Sequence, residues 1–326
     1  MSRPWPGKAL ALALSVAFLC VATMGACATL PGDPEPRRWL WVQDYSSDAR
    51  LYTQAGIDEL VDRTVGKFTD LVLAARLDDD ARMWFRSSLA AMQDRQIDGL
   101  TIGEYLIQRA HEKGMRVHAW IYTGWWATYL QMKDPPSATW NTSTLDDGRC
   151  NTVAWVNMAE PGARQMIAGM VGDLVAQNQG LDGIHLDYIR VHHTQSACPV
   201  ITPDHISQLL IEARRAIGRD CELTVSISGN QVRNEEVKRD VPRWLSEGLA
   251  DQALMMSYTS VPIADKLAYI ATLPSRARWR IVPGVSDVDG TESLRDQLGQ
   301  WAAAKYNRFA VFDSYHLMDD MLALLE

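Results

Sequence analysis

The chain has 326 residues, of which 47% are hydrophobic and 22% charged, and its formal net charge is −8 at pH 7. This composition excludes a disordered or fibrous protein. The acidic balance offers no basic field of the kind that binds nucleic acid, so no nucleic-acid partner is expected. The length fits a single α/β barrel as well as two average domains.

Residues 1–28 have the pattern of a secretory signal peptide: a basic start, an apolar run at 9–24 and small residues up to Ala28. Cleavage after Ala28 is one interpretation. Residues 24–27 also resemble a bacterial lipoprotein box, which would leave Cys27 lipidated. We favour the lipoprotein, because the proline-rich residues 29–36 then form a short tether. The sequence thus predicts an exported protein of the cell envelope whose membrane contact is a lipid anchor on Cys27.

Short apolar runs alternate with amphipathic segments through the rest of the chain. Strands are predicted at 39–43, 70–75, 116–122, 183–189, 223–228, 253–258, 280–285 and 309–312. Helices are predicted at 54–66, 102–113, 161–177, 204–217, 235–247, 264–273, 293–304 and 317–325. Strict alternation of eight units predicts one (β/α)8 barrel of the TIM type over residues 37–326. A doubly wound open sheet is the alternative, but no glycine-rich phosphate loop follows the first strand.

Three cysteines lie beyond the signal peptide. In the predicted barrel, Cys150 and Cys198 fall in neighbouring loops on one face, whereas Cys221 begins a strand at the opposite end. An exported protein meets an oxidising environment. We therefore predict a Cys150–Cys198 disulfide with Cys221 as a buried thiol, and no zinc site, because no CxxC or CxxH spacing occurs.

The segment 182–190 carries the clearest functional signal. In a strand, Gly183, His185 and Asp187 share one face, which would point into the barrel axis at its catalytic rim. A carboxylate there is costly unless something compensates, and function often does. We therefore predict Asp187 as the central catalytic carboxylate; the alternative is an inward acid held by a buried arginine.

This segment, Asp-Gly-Ile-His-Leu-Asp-Tyr-Ile-Arg, resembles the hallmark of the bacterial glycosyl-hydrolase-like (family-10-like) barrel lipoproteins, long described as a domain of unknown function. Further similarity lies at 157–164, 225–228, 244–251, 256–259 and 283–285. The resemblance implies action on cell-wall or exopolysaccharide glycans, including peptidoglycan-type strands. The chain departs from the family after Arg190, where Tyr-Pro usually follows and this sequence reads Val191-His192-His193.

A glycosidase usually needs a second carboxyl group beside the first. The fifth strand ends without an acid, so the candidates follow other strands. We favour Asp44 after the first strand and place Asp313, after the eighth, next; Asp287 follows the seventh. The acids at 78–80 are interpreted as a solvated loop.

Aromatic residues support a sugar ligand, because flat rings stack on the apolar faces of sugars. Five of the twelve tryptophans lie in the third strand and the loop after it; of these, Trp120 and Trp155 are expected to fill the core. Arg190 is expected either to clamp a substrate carboxylate or phosphate or to pair with Asp187. The predicted substrate-binding residues are Tyr122, Trp125, Trp126, His185, Tyr188, Arg190, Asn230 and Tyr258.

The sequence therefore predicts a glycoside hydrolase of the bacterial envelope that needs no cofactor or metal. Asp187 would act as nucleophile or base, and His185 and Arg190 would position the sugar. One alternative is a non-catalytic glycan-binding barrel, favoured by the missing acid on the fifth strand. Another is a metal-dependent hydrolase or deacetylase that uses His185, Asp187, His192 and His193. The oligomeric state is left open.

Overall fold

The computed structural model describes residues 36–43, 49–75, 83–89, 96–124, 138–256 and 258–325. Eight strands form a closed ring in which each strand pairs with the next in parallel and β8 pairs with β1. The predicted (β/α)8 barrel is thereby confirmed. The strands are β1 Arg38–Val42, β2 Asp70–Ala74, β3 Arg116–Tyr122, β4 Gly183–Asp187, β5 Glu222–Ile227, β6 Gln252–Met255, β7 Ile281–Ser286 and β8 Phe309–Phe312.

Helices follow the strands and cover the outside of the ring. In the described residues they are α1 Gln54–Thr64, α2 Ile102–Glu112, α3 Pro161–Gln177, α4 Pro203–Ile217, α5 Gln231–Glu236, α6 Val241–Ser246, α7 Ile263–Thr272, α8 Ser275–Arg278, α9 Thr291–Ala303 and α10 Asp319–Leu322. Local sequence explains their starts: Thr101 and Glu104 form a capping box at α2, and Pro161 opens α3. The helix predicted at 235–247 is wrong, because the structure divides this region into α5 and α6.

Two apolar layers follow from the alternation of side chains along each strand. Leu40, Leu71 and Ile184 belong to the larger layer, between the strands and the helices. The smaller cluster fills the barrel interior and contains Trp39, Trp41, Val72, Ala74, Trp120, Leu254, Val282 and Ala310. The interior is therefore packed with tryptophan rings, and chemistry is left to the loops at the carboxyl ends of the strands.

The predicted disulfide between Cys150 and Cys198 is confirmed. It joins the loop after β3 to the loop after β4 on the catalytic rim. Cys221 is disulfide-bonded as well, so the prediction of a buried thiol there is wrong. No helix in the described part of the chain is both long and apolar enough to cross a bilayer. The predicted signal peptide, its Cys27 and the tether up to residue 35 lie outside the described residues.

Candidate active site

Asp187 is the last residue of β4 and lies beside Tyr122 of β3 in the barrel register. Lower in the same strand, a Cβ on Gly183 would lie 2.2 Å from Nδ1 of His118, so only glycine fits there. This close approach is one reason why the motif places glycine at the start of the strand. The carboxyl group of Asp187 is almost fully buried, with 3% of the residue accessible.

The surroundings of Asp187 shift the pKa of its carboxyl group in opposite directions. Burial raises the pKa of the carboxyl group and is the largest cause; the backbone N–H of Tyr188, the charges of Arg239 and Arg190 and a hydrogen bond with Ser226 oppose it. The N–H of Tyr188 donates to Oδ1 at 2.6 Å. Within the described residues no ion pair joins Arg190 to Asp187. The net effect is a raised pKa, so Asp187 holds a proton more readily than an exposed aspartate does.

His185 lies one layer below Asp187 and has no accessible surface. Its Nδ1 is 2.8 Å from Oγ1 of Thr224, and its Nε2 is 2.9 Å from Oγ of Ser226. Burial lowers the pKa of His185 to about 3, and the charge of His118 adds to this effect, so the ring stays neutral at ordinary pH. The predicted sugar contact of His185 stays a prediction. In the structure His185 forms a hydrogen bond with Ser226, and Ser226 in turn forms a hydrogen bond with Asp187.

Aromatic rings surround the mouth of the barrel. Trp41 packs edge-on against Tyr258 and Phe312, with ring centroids 6.4 Å and 6.1 Å apart. Tyr258 stacks on Phe312 at 5.4 Å, and Tyr122 contacts Tyr188 at 5.8 Å. The predicted binding residues Tyr122, Tyr188 and Tyr258 therefore share one rim.

Trp41 and Phe312 were missed by the sequence analysis. The signal that could have found Trp41 is its position two residues after Trp39 in β1, since side chains two apart in a strand face the same side. Trp120 and Trp155 are buried as expected, with 3% and 2% accessible. The indole N–H of Trp155 donates to the carbonyl oxygen of Arg190 at 2.7 Å and fixes the loop after β4.

A second group of acids lies at the ends of β7 and β8. One oxygen each of Asp287 and Asp313 and a ring nitrogen of His316 lie within 4.8 Å of one another. The backbone N–H of Asp313 donates to Oδ1 of Asp287 at 2.8 Å, and Oδ2 of Asp287 is buried without a hydrogen-bond partner. Burial raises the pKa of Asp287 to about 7, while the Asp313 N–H lowers it and the negative charge of Asp313 raises it further.

Tyr258 connects the two acidic groups. Its pKa is raised well above the ordinary value, first by burial and then by the negative charges of Asp187, Asp313 and Asp287. The repulsion between a carboxylate and a tyrosinate weakens as the distance between the two groups increases. The Tyr258 hydroxyl is thus influenced by the carboxyl groups on both sides of the barrel mouth.

A cavity of about 780 Å³ opens beside the end of β4. The predicted residues Tyr188, Arg190 and Asn230 line it, as do Arg233 and Arg239 of the region after β5. The two latter arginines were not singled out from the sequence. A cavity of about 830 Å³, beside Arg37 and Trp279, lies at the opposite rim, away from these groups. Asp44, Trp125 and Trp126 lie outside the described residues, and their predicted roles stay predictions.

Two groups of described residues have the spacing to hold a metal ion. Asp287, Asp313 and His316 form one of them, and a proton on Asp287 would compete with an ion there. Asp70, His118 and Glu222 form the other, at the amino-terminal rim, where Arg37 already pairs with both acids. The set of His185, Asp187, His192 and His193, considered above for a metal, is not among the groups that the described residues provide.

Comparison with known proteins adds information about the fold. The sequence matches neither a family model nor a curated protein. The glycoside hydrolase domain of PgaB (BpsB) from Bordetella bronchiseptica is similar at 16% identity and a TM-score of 0.64, over 89% of this chain and 96% of that one. A chitinase from Chromobacterium violaceum is similar at 11% identity and a TM-score of 0.55, over 89% and 98%.

A glycoside hydrolase family 18 N-acetylglucosaminidase from Paenibacillus barengoltzii is similar at 12% identity and a TM-score of 0.55, over 89% of this chain and 99% of that one. At these identities the likeness concerns the fold. The chain therefore has the closed barrel found in these glycoside hydrolases.

Proposed function

We propose that the protein is a glycoside hydrolase that acts on glycans of the bacterial cell envelope. The observation that carries the proposal is the arrangement of buried carboxyl groups at the barrel mouth: Asp187 ends β4, and Asp287 and Asp313 directly follow β7 and β8 on the other side of the ring. Hydrolysis of a glycosidic bond requires one carboxyl group that donates a proton and one that acts as a carboxylate, and Asp187 and Asp287 have oppositely charged neighbours. The fold likeness to glycoside hydrolases and the resemblance of residues 182–190 support this assignment.

In the proposed mechanism Asp187 acts as the carboxylate, either as nucleophile or as base for a water molecule. Burial raises the pKa of Asp187, while Arg239, Arg190 and the N–H of Tyr188 act against this rise and favour the charged form. Asp287, with a pKa of about 7, is about half protonated at pH 7 and supplies the proton to the leaving-group oxygen, with Asp313 beside it. The rings of Tyr122 and Tyr258 are suited to stacking against the sugar. Asp44 is a further candidate for the acid.

The test compares wild type with Asp187→Asn on peptidoglycan glycan strands and a panel of envelope polysaccharides, with products followed by mass spectrometry. We expect hydrolysis by wild type and a loss of at least about 100-fold in the variant, because a positioned acid or base contributes this much. Asp265→Asn, which changes an exposed carboxylate on α7, is the matched control and should match wild type. Retained activity in Asp187→Asn would refute the proposed role.

Absence of products from both proteins, together with retained binding, would favour the non-catalytic glycan-binding barrel. In that case the acids at the mouth would position hydroxyl groups of a sugar rather than cleave its bonds. Activity that depends on an added divalent ion would instead favour metal-dependent hydrolysis through Asp287, Asp313 and His316.

We also propose that the protein is exported and held at the membrane by a lipid on Cys27. The support is the pattern of residues 1–28 and the tether that follows. In cell fractions, Cys27→Ala should move the protein from the membrane to the soluble envelope fraction. An unchanged distribution would contradict the anchor without affecting the proposed activity.

A further inference from the structure

Arg239 lines the cavity beside the end of β4, and the negative charge of Asp187 favours its charged form without an ion pair between the two. Only 6% of this residue is accessible, and Nη1 donates to Oδ1 of Asn234 at the long distance of 3.5 Å. Its Nε and Nη2 have no hydrogen-bond partner, and no carboxylate of the described residues forms an ion pair with it. A buried cation with unused donors is costly, which indicates that this group serves a ligand.

Two more arginines enlarge the positive charge of this cavity. Arg190 lies over the ring of Tyr188, 4.9 Å from its centroid, and donates Nη1 to the carbonyl oxygen of Val191. Arg233 is exposed at the opening, where Glu236 pairs with it at 3.3 Å. Glu236 thus balances the positive charge of Arg233. Among the described residues, it forms no ion pair with Arg190 or Arg239, which lie deeper in the cavity.

The charges of Arg190 and Arg233 both lower the pKa of Arg239. Burial is the largest cause that lowers the pKa of Arg239, to about 9, and the charge of Arg190 is the next. Burial also lowers the pKa of Arg190, and the charge of Arg233 contributes to this effect. The charge of Asp187 favours the charged forms of both Arg239 and Arg190, and an anion placed in the cavity would add to this effect.

We propose that this cavity binds the carboxylate of an acidic sugar in the substrate, next to the bond that is cleaved. The guanidinium fork matches a carboxylate through two parallel hydrogen bonds, and Arg239 has donors left for this purpose. Tyr188 and Arg190, which follow Asp187 closely in the chain, line the same cavity as Arg239, so the carboxylate would bind beside the proposed reacting centre. This inference rests on the proposed function and narrows its substrate to acidic glycans.

The test measures binding and cleavage separately. Binding is measured by calorimetry in the Asp187→Asn background, with uronic-acid oligosaccharides and muramic-acid-containing glycan strands as probes. Each probe is paired with its carboxyl-reduced form, in which a hydroxymethyl group replaces the carboxylate. We expect at least one acidic probe to bind about tenfold or more tightly than its reduced form, because hydrogen bonds to charged groups are strong.

Arginine variants test whether the preference for acidic probes depends on this cavity. Arg239→Gln should abolish the preference for the acidic form, and Arg239→Lys should recover only part of it, since lysine lacks the fork. Arg233→Gln changes an exposed side chain at the opening and should reduce the preference without affecting folding. Arg215→Gln removes the same charge from an exposed position on α4 and should change nothing.

The outcomes separate this inference from the proposed function. Cleavage of acidic and reduced glycans at equal rates would overturn the carboxylate site and leave the hydrolase intact. Carboxylate-dependent binding that requires Arg239, without cleavage by wild type, would support the site and contradict the hydrolase. Equal losses on acidic and reduced probes in Arg239→Gln would show that Arg239 serves Asp187 alone. Equal binding of sulfated neutral oligosaccharides would overturn the assignment to carboxylate.

Discussion

Asp287 and Asp187 are both buried aspartates with raised pKa values, but their neighbours differ. Asp187 faces the positive charges of Arg239 and Arg190, whereas Asp287 faces the negative charge of Asp313. Opposite neighbours push two similar groups toward opposite roles. This contrast is the reason for assigning the carboxylate to Asp187 and the proton donor to Asp287.

The pH dependence of Asp287 can be predicted with its sign. For a proton donor with a pKa of about 7, kcat/KM should fall as the pH rises through about 7, because the free enzyme loses the donated proton. Asp287→Asn should abolish turnover at every pH. The measurement is kcat/KM from pH 4 to 9 on whichever glycan wild type cleaves. A rate that rises through pH 7 would contradict the role of Asp287 as acid.

The raised pKa of Asp287 should also make the free energy of unfolding depend on pH. The folded protein holds this proton more tightly than the unfolded chain, in which the pKa is near 3.8. The free energy of unfolding should therefore decrease as the pH rises from about 4 to about 7, by at most about 1.4 kcal/mol per pH unit. Urea unfolding of Asp287→Asn should show a smaller slope than wild type, whereas Asp289→Asn, at an exposed neighbouring position, should keep the slope of wild type.

Individual residues show what the sequence could and could not predict about the site. Asp187 was accessible to prediction because strand alternation alone directs its side chain inward. Asp287 was found only as one acid among several at strand ends, since its pairing with Asp313 depends on the distance between β7 and β8. Arg239 carried no signal, because a buried arginine without a partner is a property of the folded cavity and not of local sequence.

At the scale of elements, apolar periodicity predicted the strands within a few residues. The strand predicted at 183–189 ends at Asp187, because Tyr188 adopts a positive φ of 51° and leaves the ladder. The resulting turn carries Tyr188 and Arg190 to the cavity. The strand pattern alone would have placed Tyr188 on the outer face, so this local departure from regularity creates part of the site.

In the region after β5, the sequence predicted one continuous helix where the structure has two. Periodicity predicted one helix at 235–247, but Asp240 caps a new helix at Val241–Ser246 through a hydrogen bond to the N–H of Arg243. The chain between α5 and α6 includes Lys238 with a φ of 66°, which interrupts the helix. Arg239 lies in this connection. The break in helical structure is therefore what brings a buried guanidinium to the cavity.

At the scale of the whole molecule, the two rims of the barrel have different charges and different tasks. The amino-terminal rim is closed by ion pairs that join separate strands. Asp70 at the start of β2 pairs with Arg37, with Arg116 at 3.0 Å and with His118 at 2.9 Å. Arg37 also reaches Glu222 of β5 at 2.7 Å. In contrast to Arg239 at the other rim, the acids and bases here compensate one another.

Asp70 should therefore be a determinant of stability and not of catalysis. Burial raises the pKa of Asp70, but the charge of Arg37 and the hydrogen bond with His118 outweigh it and hold the pKa well below its usual range. Asp70→Asn removes the buried negative charge that Arg37, Arg116 and His118 share. We expect it to lower the free energy of unfolding by about 3 kcal/mol at pH 7, measured by urea denaturation.

The pH dependence of this loss provides the internal control. Because the folded pKa of Asp70 is depressed, its stabilisation is present above the unfolded value near 3.8 and is lost as the pH falls below it. The difference between wild type and Asp70→Asn should shrink in that acidic range. Asp62→Asn breaks an exposed pair with Lys113 at 3.0 Å and should destabilise the protein far less than Asp70→Asn does, because solvent screens exposed ion pairs. Since Asp70 lies at the rim opposite Asp187, the folded variant should keep the glycan activity of wild type; a selective loss of turnover without destabilisation would contradict this division of the barrel.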